Sequence, residues 1–362
     1  MTTTWTAAYR SAMVSPFESM TLVHGPRGFA DQTVRQVVRV RGEGERLRVR
    51  FSNLYGARPL VVGRVVADGA AVTFGGGARV TVGAGEEAVS DPFAFPLKGE
   101  ADLTVSAYLP EETGPATYHP FALRTTWITS GDGDAPGGEE SESGFFLSGV
   151  DVAAEARRPV VVAFGDSLTD GVGTTPGADR RYPDVLARLV PGASVVNLGI
   201  SGNRLVSDEF GERGVARFAR EVPAVPGVTH AVVQVGLNDI GMPVVFDVPP
   251  VTFDELTAGY RAIAETAARH GITTVVATVT PFGGAQPPGV DLAAEEALRQ
   301  RLNAWLRANE AGFAAVADLD AALRDPADPS ALRPDHDSGD HLHPDDAGAE
   351  AMANAVARTL GI

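Results

Sequence analysis

The stretch VVVAFGDSLTDG, residues 160–171, runs as five apolar positions from Val160 to Phe164 straight into Gly165, Asp166 and Ser167. A serine hydroxyl is a weak nucleophile and needs a base beside it. Histidine, with an unperturbed pKa near ~6.5, is the usual base, and a carboxylate then holds the imidazole in the working tautomer. Asp340 and His343 supply that carboxylate and that base, three residues apart, so one turn can present both to the same site. Acyl transfer also needs donors aimed where negative charge develops. The backbone N–H of Gly202, the side-chain amide of Asn238 and the N–H of Ser167 itself are three such donors.

Each of these residues has a plainer reading. Gly, Asp and Ser at a strand end are ordinary turn residues. Ser201 is a rival nucleophile, although its place before Gly202 suits backbone hydrogen bonding. Asp166 is a second candidate for the acid of the triad, or an acceptor for turn N–H groups. Asp239 suits fixing its own loop, and Arg204 suits either substrate contact or a surface ion pair. PDHDSGDHLHPDD, residues 334–346, holds three histidines and Asp335, Asp337, Asp340, Asp345 and Asp346, a composition open to a divalent metal. The metal reading leaves Ser167 and Asn238 without a task. Asp345 and Asp346, just after Pro344, also suit the first turn of a helix. His336 and His341 are then bystanders or pocket walls. A serine, histidine and aspartate acting together need no cofactor and no metal, and none is expected.

The elements that must carry these residues differ between the two halves. Residues 1–157 read as an all-β sandwich or jelly roll. TVRQVVRVRG, ERLRVRFSN, PLVVGRVVAD, AAVTF, ARVTVG and ADLTVSAYLP are short, rich in Val, Thr and aromatics, and separated by Gly, Pro, Asn and Asp. SGDGDAPGGEESESG, residues 130–144, reads as a mobile acidic Gly/Ser loop or linker. Residues 158–362 alternate buried runs (PVVVAF, ASVVNLG, HAVVQVG, TTVVATV, FAAVADL) with amphipathic segments. That alternation predicts an α/β fold, a doubly wound five-stranded parallel sheet covered on both faces. Gly271 and Gly312 mark expected helix ends. GDS, GISGN, GLND and TPFGG close the first four strands and DSGDHLHPDD follows the fifth, so all five ends lie along one rim, where such sheets bind ligands.

Composition limits the partners. The formal net charge is −16 over 362 residues, which argues against nucleic acid and against anionic membrane surfaces. With no cysteine, disulfides and thiolate metal sites are excluded. MTTTWTAAYRSAM lacks a basic region followed by an apolar run, so a cytoplasmic location is expected, or secretion from a longer precursor.

GDSL (165–168), NLGISGN (197–203), GLND (236–239) and DHLH (340–343) resemble, in order and spacing, the four blocks of the SGNH or GDSL hydrolases, over roughly residues 159–360. The resemblance implies a flavodoxin-like catalytic domain. It also implies a triad of Ser167, Asp340 and His343, with an oxyanion hole of Ser167, Gly202 and Asn238. The N-terminal half resembles, more loosely, the β-sandwich of some actinobacterial esterases, through VRQVVRV, RVRFSNLYG and TGPATYH. Those relatives usually carry an export signal.

The expected function is hydrolysis of short-chain carboxylic esters, acetyl esters first among them, with a small molecule or a saccharide as the alcohol part. Small rim residues (Gly199, Gly202, Gly236, Gly241, Gly283, Gly284) suggest a small acyl pocket. GMPVVFDVPPV, residues 241–251, is the one extended apolar run on the loops; it suits the lipid site of a lipase or phospholipase, the lining of an acyl or alcohol pocket, or packing on the body. A carbohydrate-binding protein with an inactive hydrolase fold is the alternative of another class. AYLPEETGPATYHPF, residues 107–121, places Tyr108, Tyr118, His119 and Phe121 where ligand or interdomain contact is expected, with a satisfied structural histidine as the other reading of His119.

Overall fold

The computed structural model describes residues 4–18, 23, 25–133, 137–154, 156, 158–246, 248–285 and 289–362. The chain divides into two units, Met1–Arg158 and Pro159–Ile362.

The first unit is antiparallel and β-rich. Its main sheet has nine strands among the described residues. Two long strands, Gln32–Ser52 and Phe93–Leu109, pair over most of their length and form its middle. TVRQVVRVRG and ERLRVRFSN, which read as two strands, are therefore one. The chain passes the intervening glycines with a register shift between Gly44 and Arg46 rather than a turn. A Cβ on Gly44 would stand 2.2 Å from the carbonyl oxygen of Ala153, so only glycine fits that crossing. The acidic segment 130–144 is not wholly a linker. Glu139–Ser141 forms a strand antiparallel to Thr126–Ile128, and 134–136 lie outside the described residues.

Tyr118 and His119, read as suited to ligand or interdomain contact with a structural histidine as the other reading of His119, are buried in this unit's own structure. Tyr118 stacks near Phe145, and the His119 ring nitrogens lie 2.8 Å from the Ala12 carbonyl and 3.1 Å from that of Phe121. The structural reading of His119 is the one the geometry follows.

The second unit carries a five-stranded parallel sheet. Its strands are β1 (Val160–Gly165), β2 (Ser194–Gly199), β3 (Val228–Gln234), β4 (Thr273–Ala277) and β5 (Ala315–Ala317). Their order is β2-β1-β3-β4-β5. All six residues of β1 are buried, as a central strand covered on both faces requires. The helices are α1 (Ser167–Asp170), α2 (Tyr182–Leu189), α3 (Gly214–Glu221), α4 (Leu237–Val245), α5 (Phe253–Arg269), α6 (Ala293–Arg307), α7 (Leu319–Leu323) and α8 (Asp346–Leu360). Contacts run α2–α8 and α7–α8 in one group, and α3–α5, α5–α6 and α4–α6 in the other. They form the two helical layers of a doubly wound fold.

Local chemistry explains several ends. Thr252 and Glu255 close a reciprocal capping box at the start of α5. Gly271 follows α5 in left-handed backbone, φ +64°. After α6 it is Asn309, φ +53°, that makes the first left-handed turn, not Gly312 three residues on. Asparagine is the other residue that tolerates this conformation. α4 departs from the sequence reading, in which this apolar, proline-bearing stretch is a loop. Pro243 sits within it, and the chain leaves helical geometry at Phe246.

Candidate active site

In this strand order the direction of winding reverses between β1 and β3. Outside the carboxyl ends of those strands lies the crevice where such sheets place ligands. Ser167 follows β1 directly, as the first residue of α1, so its N–H has no carbonyl behind it in the helix to bond to. Asp166 caps that helix, its Oδ1 accepting from the Leu168 N–H at 3.1 Å.

Three side chains, two of them 176 positions from the first or nearly so, join in one hydrogen-bonded line. His343 Nε2 lies 2.8 Å from Ser167 Oγ, and His343 Nδ1 lies 2.6 Å from Asp340 Oδ2. The other Asp340 oxygen accepts from the N–H groups of Leu342 and His343, at 2.9 and 2.8 Å. Partial burial works against the charge on Asp340. The bonds from the His343 ring and the two backbone donors outweigh it and hold the carboxyl well below the usual carboxylate range. Asp340 is therefore ionised at neutral pH, as stabilising an imidazolium requires.

The loop after β2 is tied to the end of β1 and to the helices α1 and α4 that follow β1 and β3. Ile200 N–H donates to Gly165 O at 3.1 Å. The N–H and hydroxyl of Ser201 donate to Asp170 Oδ2 at 3.0 and 2.6 Å, so Ser201 is a loop fastener and not a nucleophile. Gly202 has φ +79°, and a Cβ there would stand 2.9 Å from the Phe210 ring. Asn238, in the first turn of α4, donates from Nδ2 to Asn203 O at 3.0 Å. That contact puts its amide one residue from Gly202. An amide nitrogen carries two hydrogens, so one remains for a ligand.

The remaining candidates fall into supporting places. Asp239 accepts from the N–H groups of Leu205 and Val206 at 2.6 and 3.0 Å. Burial pushes its carboxyl up to about 6 against those bonds. Arg204 is buried, not a surface ion pair, and its guanidinium donates to the Asp208 carbonyl. Asp345 caps α8, accepting from Ala347 and Gly348 at 2.9 Å each. Asp346 accepts from the N–H and hydroxyl of Thr175 at 2.8 and 2.9 Å. His341 pairs with Asp337 at 2.5 Å and its side chain is exposed. Among the described residues no three His, Asp or Glu side chains are placed to hold one metal ion.

Five of the six rim glycines have a packing reason instead of marking open space. A Cβ would come within 3 Å of Asp170 at Gly199, Phe210 at Gly202, Tyr260 at Gly236, Ser330 at Gly283 and His341 at Gly284. Sequence reasoning passed over Asn203 and Arg217, which brace this loop. The available signal was a charge on the apolar stripe of α3: Gly214, Arg217 and Phe218 are its buried residues.

A doubly wound sheet with a serine, histidine and aspartate hydrogen-bonded in line at its carboxyl rim has the chemistry that hydrolysis of an ester requires. The comparison with protein families agrees with that chemistry. The chain belongs to the GDSL-like lipase/acylhydrolase family, which matches residues 163–351 of the 362. This is a family of ester hydrolases. No curated protein matches the chain. Among solved structures it is similar to a lipolytic protein of the G-D-S-L family from Desulfitobacterium hafniense, at 23% identity and TM-score 0.43, covering 56% of this chain and 99% of that one. An acetyl-xylooligosaccharide esterase from Geobacillus is 22% identical with TM-score 0.43, covering 56% and 94%. An aryl esterase of M. smegmatis is 17% identical with TM-score 0.44, covering 55% and 97%.

Proposed function

We propose that the protein hydrolyses short-chain carboxylic esters, acetyl esters foremost, through an acyl-enzyme on Ser167. The observation that carries this reading is the unbroken line from Asp340 through His343 to Ser167. His343 takes the Ser167 proton as the hydroxyl attacks the ester carbonyl, and then gives it to the departing alkoxide. Asp340 holds the ring and balances the imidazolium. The N–H groups of Ser167 and Gly202 and the free hydrogen of the Asn238 amide receive the oxyanion. Water then repeats the sequence and releases the acid. The preference for a short acyl group draws on Phe210, whose ring packs on Gly202, and on Phe246, which lies 5.9 Å from Phe210 between ring centroids. This aromatic pair crowds the oxyanion loop. Acetylated saccharides belong to the same substrate class.

The test is release of 4-nitrophenol from acyl esters of two to twelve carbons, beside acetylated xylo-oligosaccharides, by wild type and Ser167→Ala. Activity should be highest on acetate and propionate, and Ser167→Ala should remove it together with covalent labelling by an organophosphonate. Activity persisting in Ser167→Ala would refute the nucleophile. An optimum at long chains would refute the short-acyl preference and favour a lipase-type site, to which the exposed Val245 and Phe246 would then contribute.

A further inference from the structure

Arg217 is a fully buried charge that the hydrolytic scheme does not use. It lies on α3, with no solvent exposure at all. Taking a guanidinium out of water is costly, and a well-packed apolar side chain often serves stability as well or better. The partners of Arg217 show what the charge obtains in return. Its Nη1 donates to Asn203 Oδ1 at 2.8 Å. Its Nη2 donates to the Leu198 carbonyl at 2.8 Å and to Glu221 at 3.0 Å. The guanidinium also lies over the Phe164 ring, 4.9 Å from its centroid.

Three of those four contacts lead to a proposed oxyanion donor, while Glu221, on α3 itself, balances the charge. Leu198 is on β2, four residues before Gly202. Phe164 is on β1, three residues before Ser167. Asn203 is the junction. It has no solvent exposure, and every polar group it has is engaged. Its side-chain amide donates to the carbonyls of Phe210 and Glu212 at 3.0 and 2.9 Å, which holds the Phe210 ring on Gly202. Its N–H donates to Ile200 O at 3.0 Å. Its carbonyl accepts the Asn238 amide at 3.0 Å and so decides which hydrogen of that amide stays free.

We propose that Arg217 is a positioning residue for the oxyanion hole, acting through Asn203 on the Asn238 amide and the Gly202 N–H. The planar fork spans Asn203 and Leu198 together, and a lysine ammonium cannot span both in that geometry. The proposal rests on the oxyanion reading given above.

The experiment uses the full chain and reads kcat, KM and melting temperature with 4-nitrophenyl acetate. Arg217→Met should lower kcat roughly tenfold or more while KM stays within about twofold, because an interaction made in the transition state is misplaced. Arg217→Lys should fall nearly as far, and it carries the comparison if the methionine variant does not fold. In an Asn238→Ala background the same Arg217 change should cost clearly less than in wild type, since one of the two donors it acts on is gone and only the Gly202 N–H remains. Arg299, also fully buried and bonded to Val279 O, Asp320 and Glu296, serves as the matched control. Arg299→Met should lower the melting temperature and leave kcat within about twofold. Folded Arg217 variants with wild-type kcat would overturn the proposal, as would an equal loss in both backgrounds or an equal loss in Arg299→Met. If Asn238→Ala itself leaves kcat unchanged, the oxyanion reading falls and the proposal falls with it. An effective Asn238→Ala beside a silent Arg217→Met overturns the proposal alone.

Discussion

Asp166 precedes the nucleophile and is wholly buried. Burial pushes its carboxyl up to about 7, against the lowering effect of the Leu168 N–H and the Gln234 side chain. An unfolded aspartate titrates near ~3.9. Between those values the folded protein binds the proton that the unfolded chain has released, so folding stability falls as pH rises from about 4 to about 7. Asp166→Asn keeps an acceptor for Leu168 and has no proton to lose. Urea unfolding of both proteins at pH 5 and pH 8 should show wild type losing stability relative to Asp166→Asn across that interval. Parallel curves would remove Asp166 as the source of any such pH dependence. Asp340 shows the opposite environment in the same site. Although burial opposes its charge, a ring and two backbone donors keep it ionised. Two aspartates near one serine thus differ through their surroundings, which residue type alone does not express.

At the scale of elements, the loop that carries Asp340 and His343 ends at the cap of α8. Asp345 accepts two N–H groups there that would otherwise lack partners. Asp345→Ala should cost about 1 kcal/mol in stability, measured as a lower urea midpoint with an unchanged slope. A larger effect on kcat than on the midpoint would show that the cap also sets the position of His343. Gly202 illustrates the same dependence on local structure. Its backbone is left-handed, and its missing Cβ is the space the Phe210 ring occupies. Gly202→Ala meets strain and a clash together and should lower kcat more than it changes KM, a split that steady-state kinetics on 4-nitrophenyl acetate reads. Val245 and Phe246, by contrast, are exposed apolar residues at the end of α4.

At the scale of the molecule, the proposed catalytic residues and their hydrogen-bond partners all belong to the unit Pro159–Ile362. A unit with its own sheet, its own helical layers and its own core is expected to fold alone. Residues 159–362 expressed by themselves should keep kcat/KM on 4-nitrophenyl acetate within about threefold of the full chain. Loss of activity in a fragment that melts cooperatively would show that the first unit contributes to turnover. No helix among the described residues is long and apolar enough to cross a membrane.

Much of this was legible in the linear chain. The apolar runs VVVAFG and SVVNLG belong to covered parallel strands because both faces of each strand are buried, a condition that writes itself as an unbroken hydrophobic sequence. Ser167, Gly202, Asn238, Asp340 and His343 stand at or after strand ends, where strand-to-helix alternation alone places them on one rim. The sequence could not determine that TVRQVVRVRG and ERLRVRFSN continue as one strand, since the glycines between them permit a turn as readily as a crossing over Ala153. It could not supply α4 either, because a short apolar segment containing Pro243 has little helical preference without the fold around it. Only the tertiary structure decided which polar atoms meet. The Ser201 hydroxyl went to Asp170 rather than His343, His119 to two backbone carbonyls, and Arg217 to Asn203. Hydrogen bonds act over about 3 Å, and residues far apart in the chain come within that distance only when the packed layers place them there.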